Sequence, residues 1–271
     1  MSPRQVSIAL TNVCDLHCSY CYAPKHRASL HTDQVLSWLK ELDTEGCLGI
    51  GFGGGEPTLH PDFVDICQRA AGETQLAVTF TTHGHRLTPR LVERLKGSIH
   101  FARISVDGIG HTYEQQRGKQ FTDLLRGIES IATLSPFGIN VVINGRTVAE
   151  LEAIGELAQK VGASELLLLP QQATTSVISM DEEVGRTLQN WVLNYRGKVR
   201  LAVSEAGASG LPTCDPLPDE RGLQAYAHVD ASGMLRASSY SPVGVRIGNA
   251  GILSALERVR NTFEIKREAQ P

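Results

Sequence analysis

The sequence predicts an α/β chain folded as a partial (βα)6 barrel, TIM-like but open, followed by a short hairpin-plus-helix extension. Two observations carry this. Short apolar or β-branched runs alternate with amphipathic stretches from the N-terminus to about residue 203, the pattern of repeated βα units around a parallel sheet. The unusual polar clusters all fall where predicted strands end, and right-handed crossovers would gather those ends on one rim, where such barrels carry their active sites.

The elements follow in order. A strand near 5–10 leads through a cysteine-rich loop to a helix near 32–45, with Thr32 as its expected N-cap, Gly46 beyond its end, and Leu36, Leu39 and Leu42 on one face. A second strand ends at Gly51 and Phe52 and opens into GGGEP, with a helix after Pro61. LAVTFTT is strand three, its helix begun by Thr88 and Pro89 and closed by Gly97. Strand four, near 101–106, ends in Ser105-Val106-Asp107-Gly108, and a helix follows near 121–134. INVVIN is strand five; Thr147 and Glu150 have the spacing of a capping box for the next helix. LLLL before Pro170, a helix near 181–195 and a strand near 199–203 complete the expected first domain, residues 1–203. Residues 204–271 read as a separate extension: a Gly-, Pro- and acid-rich lid loop, a hairpin around Ala231, Ser232 and Gly233, and a helix near 250–262.

Composition narrows the function. With 271 residues and 41 % apolar content the chain can bury a real core. A net charge of −3 and scattered Lys and Arg give sequence-independent nucleic-acid binding little support. No 18-residue apolar span and no signal peptide are seen, so no membrane is expected and the location is expected to be cytoplasmic. In that compartment thiols stay reduced, and clustered cysteines read as metal ligands.

Cys14, Cys18 and Cys21 lie within eight positions. Three thiolates on a four-iron cubane would leave one iron open, as catalytic metal centres keep an open position. A zinc site completed by His17 or His26 is the competing reading, although zinc knuckles use two separated C-x2-C clips and no second clip exists here.

Cys14-x3-Cys18-x2-Cys21 after a first strand resembles the signature of the radical S-adenosylmethionine (radical SAM) superfamily. The resemblance implies one [4Fe–4S] cluster whose open iron is chelated by SAM, and reductive cleavage of SAM to a 5′-deoxyadenosyl radical that abstracts hydrogen from a substrate. Gly53-Gly54-Gly55-Glu56-Pro57 resembles the segment that receives the methionine ammonium. Ser105-Val106-Asp107-Gly108 and Gln116-Arg117-Gly118 are similar to the SxDG and RG segments of the SPASM/twitch group. By that resemblance Ser105 contacts the ribose or methionine part of SAM, Arg117 pairs with its carboxylate and Asn144 lies at a SAM-holding position; Asp107 belongs to the same cofactor-binding set. Tyr20 is a candidate to lie against adenine, with plain packing the other reading. Where the family commonly has Thr-Asn-Gly, this chain has Thr82-His83-Gly84, so His83 is either a hydrogen-bonding replacement for the amide or an acid/base toward substrate.

The tail resembles a reduced SPASM/twitch extension in which Ser238, Ser239 and Ser241 stand where auxiliary-cluster cysteines are expected. Cys47 and Cys67 read as buried thiols, which leaves one cluster and favours redox-neutral outcomes: epimerisation, rearrangement, cyclisation or group migration. Cys214, in the lid loop, is the candidate hydrogen-atom donor, with a leftover of a lost cluster site the other reading and Tyr226 and Tyr240 the weaker candidates. The expected substrate is a ribosomally made peptide; a small-metabolite enzyme, a glycyl-radical activating enzyme and a non-enzymatic iron–sulfur protein are the alternatives. An electron donor such as flavodoxin or ferredoxin is implied. Thirteen residues precede Cys14, so peptide recognition is expected to fall to the barrel or to a separate protein.

Overall fold

The computed structural model describes residues 2–24, 26–173, 177–204, 210–212, 220 and 222–268, with backbone alone from residue 263. Seven strands run in parallel, each beside the one before it: β1 (Gln5–Thr11), β2 (Gly49–Gly54), β3 (Ala77–Thr82), β4 (Phe101–Ser105), β5 (Phe137–Ile143), β6 (Glu165–Pro170) and β7 (Arg200–Val203). Between them lie α1 (Thr32–Thr44), α2 (Phe63–Glu73), α3 (Pro89–Leu95), α4 (His111–Arg117), α5 (Phe121–Ala132), α6 (Leu151–Lys160) and α7 (Glu182–Asn194). The expected (βα) succession is present. Among the described strands the sheet does not close: β7 ends the strand order, with the Val203 N–H on the Pro212 carbonyl (2.8 Å).

The other edge was not foreseen. β8 (Tyr226–Val229) pairs in parallel with β1, Gln5 opposite Tyr226 and Ile8 opposite Val229. The expected hairpin is β8 with β9 (Met234–Arg236), and a further antiparallel strand, β10 (Gly244–Arg246), ends the ten-stranded sheet. The final helix, α8 (Gly251–Glu268), lies against α1. β7 and β8, consecutive in sequence, therefore stand far apart in the strand order.

Alternation along the strands separates two faces. Val6, Ile8, Leu10, Ile50, Phe52, Val78, Phe80, Ile104, Ile139, Val141 and Leu166 are buried in the core under the helices. Ser7, Gly51, Gly53, Thr79, Thr81, Arg103 and Ser105 alternate with them and stay partly exposed. On β1 to β3 the inner face is thus lined by small and polar side chains, which leaves room for a ligand where a filled barrel would have branched apolar ones; Phe101, Val142, Leu167 and Leu169 make it apolar further round. Cys47 and Cys67 are buried, as expected.

Two capping expectations are corrected. α1 is preceded by His31, and the Thr32 hydroxyl donates to Asp62 instead (2.7 Å). Thr147 and Glu150 form no capping box: a 3-10 turn over Val148–Glu150 intervenes before α6, and the Thr147 hydroxyl donates to the Val142 carbonyl (2.6 Å). Glu150 serves a different helix. Its carboxylate accepts from the Ile109 N–H and the Thr112 hydroxyl, both at 2.6 Å, and so fixes the start of α4.

Candidate active site

The cysteine loop leaves the C-terminal end of β1 and returns beside it. Its base is clamped by the Asn12 N–H on the Ala28 carbonyl, the Leu30 N–H on the Leu10 carbonyl, and a Thr11–Ser29 bridge. Cys14, Cys18 and Cys21 lie on this loop, all half-buried and free. The Leu16 N–H donates to the Cys14 sulfur (3.4 Å), while burial pushes this thiol up from its ordinary range.

GGGEP runs alongside. The Gly55 N–H donates to the Thr11 carbonyl (2.7 Å) and the Glu56 N–H to the Val13 carbonyl (2.8 Å). A Cβ on Gly54 would lie 2.2 Å from the Thr11 oxygen, and one on Gly55 2.4 Å from the Val13 oxygen. Gly54, with φ of +123°, also holds a backbone conformation that side chains rarely adopt. These two glycines let the loop approach the backbone of β1. Gly53 differs, since a Cβ there would meet nothing within 4 Å, and it lies on the inner face.

Glu56 is 1 % exposed, and its oxygens are taken by the chain itself. Oε1 accepts from the Thr58 N–H (3.2 Å), the Thr58 hydroxyl (2.7 Å) and the Thr82 hydroxyl (2.8 Å); Oε2 accepts from the His83 N–H (2.9 Å). His83, at the end of β3, is 4 % exposed. Its Nδ1 accepts from the His85 N–H (3.1 Å), which leaves the proton of the neutral ring on Nε2, 2.8 Å from Asp15 Oδ1 and 3.3 Å from Glu56 Oε2. Asp15 is partly desolvated, which would raise its pKa, but His83 and then Arg86 hold it below the usual carboxylate range.

A second cluster follows β4. Asp107, fully buried, accepts from the Val142 N–H (2.7 Å), from the Tyr20 hydroxyl (2.5 Å) and from Arg117 at the end of α4. The Arg117 guanidinium also stands over the Tyr20 ring, 5.7 Å from its centroid. Burial alone would lower the pKa of Arg117, but Asp107 keeps it well above its ordinary value. Burial, then Asp107, pushes the Tyr20 phenol far up, so it remains a donor. The buried Arg117 Nε has no partner among the described residues.

Asn144 stands beyond β5 in a chain of amides. Its oxygen accepts from Gln116 (3.3 Å) and from the Arg146 and Thr147 N–H groups; its nitrogen donates to Gln171 (3.1 Å). Tyr20, Gln116, Asn144, Arg146 and Gln171 line a cavity of about 390 Å³ at the strand ends.

The candidates therefore gather on one rim in two groups, Cys14 to Glu56 with His83 and Tyr20 to Asn144, with Ser105 at the end of β4 between them. Cys214 lies outside the described residues. Asp15 and Gln171 escaped the sequence reading; an acid set between two metal-type cysteines was the available signal for the first, and nothing local marked the second. The donor set suits a metal–sulfur cofactor with an organic ligand: three thiols on one loop, open space over Gly53, and an unpartnered guanidinium N–H beside the cavity-lining Tyr20.

Residues 8–158 match the family model of the Radical SAM superfamily, and the chain belongs to that superfamily. Its members are enzymes that use a [4Fe–4S] cluster and SAM. Among particular relatives, the mycofactocin maturase MftC of Mycobacterium tuberculosis is 32 % identical over 171 residues, covering 60 % of this chain and 44 % of the relative. The AdoMet-dependent heme synthase of Methanosarcina barkeri is 31 % identical over 171 residues, 60 % of this chain and 49 % of the relative. The chain thus spans about half the length of these curated relatives. Streptococcus suis SuiB bound to its precursor peptide SuiA superposes with a TM-score of 0.73 at 13 % identity, over 90 % of this chain and 62 % of that one, a likeness of fold. No helix among the described residues is long and apolar enough to cross a membrane.

Proposed function

We propose that this chain is a radical SAM enzyme that modifies a ribosomally made peptide, by epimerisation, cross-linking or rearrangement. The observation that carries the reading is the placement of three free thiols on the β1 loop, beside the open backbone at Gly53 and above a small, polar inner face. Cys14, Cys18 and Cys21 would hold one [4Fe–4S] cluster as thiolates. When bound, the cluster and SAM supply a 5′-deoxyadenosyl radical that takes hydrogen from substrate.

The chain's own residues divide the remaining work. The backbone at Gly53 and Gly54 is assigned to the ammonium of SAM, because the side-chain oxygens of Glu56 are already taken within the chain. Arg117 is assigned to its carboxylate through the unpartnered Nε, with Asp107 holding the guanidinium at Nη2. Ser105 and Asn144 are assigned to the ribose side, and Tyr20, held by Asp107, to one wall of the site. Cys214 is retained as the hydrogen-atom donor.

The peptide reading is supported by the likeness to a mycofactocin maturase and to a fold seen with a precursor peptide. The likeness to a heme synthase supports the second reading, a small-metabolite substrate. Residues 204–271 are read as a reduced SPASM/twitch-like extension without an auxiliary cluster, in a cytoplasmic protein served by a flavodoxin or ferredoxin and aided by a separate peptide-recognition protein.

The test is 5′-deoxyadenosine formation after anaerobic reconstitution, with SAM and a strong reductant, against a Cys18→Ala control. Product from the wild type alone supports the reading. A fully loaded wild type that yields none, with or without short precursor peptides, overturns it.

A further inference from the structure

The cysteine loop, GGGEP and the end of β3 meet at one imidazole. His83 is buried, its tautomer fixed by the His85 N–H at Nδ1, and its Nε2–H is directed at Asp15 Oδ1 (2.8 Å) with Glu56 Oε2 at 3.3 Å. Asp15 lies between Cys14 and Cys18, and the Cys14 sulfur, an Asp15 oxygen and a His83 nitrogen all lie within 4.8 Å of one another. The platform under the imidazole is stiff. Gly84 packs so closely that a Cβ there would reach 2.4 Å from Ile104, and a Cβ on Gly127 of α5 would reach 2.6 Å from the Gly84 carbonyl.

We propose that His83 is a positioning residue, a clasp that ties the cysteine loop to β2 and β3 through Asp15 and Glu56 and so holds Cys14 in place for the cluster. An asparagine at this position would keep the backbone N–H on Glu56 but carry its amide near the ring's Nδ1, short of Asp15. A glutamine places an N–H close to where Nε2 stands. His83→Gln therefore restores the clasp and His83→Asn does not. Asp15→Asn keeps an acceptor for Nε2 and removes only the charge, which separates tethering from electrostatics.

The inference rests on the reading that Cys14, Cys18 and Cys21 hold the cluster, and the experiment tells the two apart. Each variant is reconstituted anaerobically, iron and sulfide per chain are counted, and the rate of iron loss to a coloured chelator is followed beside thermal unfolding. The cluster's electron paramagnetic resonance spectrum is recorded after reduction with dithionite. The expected result is iron loss about tenfold faster in His83→Asn, a near wild-type rate in His83→Gln and in Asp15→Asn, and a changed spectrum in His83→Asn alone. Wild type and Cys18→Ala holding no cluster alike would overturn both the site reading and the clasp. A loaded wild type with folded His83→Asn losing iron at the same rate, or with His83→Gln as labile as His83→Asn, would overturn the clasp alone.

Discussion

Replacing Asp107 by asparagine removes a charge that three donors share without changing the volume. The carboxylate is fully buried, receives the Val142 N–H and the Tyr20 hydroxyl, and neutralises Arg117, whose side chain is itself largely enclosed. An asparagine that keeps its oxygen on the Val142 N–H turns its NH2 toward Arg117, donor against donor, while the Tyr20 hydroxyl can turn to accept from it. Arg117 stays protonated, so a buried charge is left without its partner, a change that costs about 3–5 kcal/mol. For a chain of this size each kcal/mol moves Tm by about 2–4 °C, so a fall of roughly 6–20 °C is expected in the cluster-free protein at pH 7, read by circular dichroism. Combining Asp107→Asn with Arg117→Met removes the stranded charge and is expected to recover most of the loss. A fall of less than about 3 °C in the single variant, or a double variant no more stable than the single, would refute the reasoning.

Other outcomes follow from the same geometry. Gly54→Ala meets the Thr11 carbonyl at 2.2 Å with a positive φ and should lose at least about 3 kcal/mol in urea unfolding, whereas Gly53→Ala should stay within about 1 kcal/mol of wild type yet bind SAM more weakly. Equal SAM affinity in Gly53→Ala would detach the open space there from the cofactor. Burial pushes His228 down to about 4, so the unfolded chain binds the extra proton between about pH 6.5 and 4, and stability falls as pH drops through that window, by about 2 kcal/mol from pH 7 to 5. His228→Gln should flatten that slope, and an unchanged slope would assign it to other groups.

Local pattern made the first seven strands readable, because Val6-Ile8-Leu10 or Val78-Phe80 alternate with small polar residues over lengths that suit only a strand between helices. The motif loops were readable by residue type, since three cysteines in eight positions admit few chemistries. What escaped was set by distant partners. α4 follows Gly110 and is held by Glu150, 38 residues beyond Thr112. The GGGEP glutamate reads from sequence as a ligand for the cofactor's ammonium; its burial under Thr82 and His83 exists only once β3 lies beside β2. The pairing of β8 with β1 has no local signal either, because Tyr226–Val229 would suit any sheet edge.

That last pairing has a consequence for how the protein is made. On the ribosome β1 and its cysteine loop emerge well before the strand that covers the outer edge of β1; His228, which faces Ser7, lies 221 positions further along the chain. Throughout that interval the nascent chain displays a row of open main-chain hydrogen-bonding groups next to three reactive thiols, a template for mispairing with other chains. Docking of β8 is thus a late seal on a strand made much earlier. Iron delivered after release meets a loop braced on both flanks, and iron delivered during synthesis meets one braced on a single side.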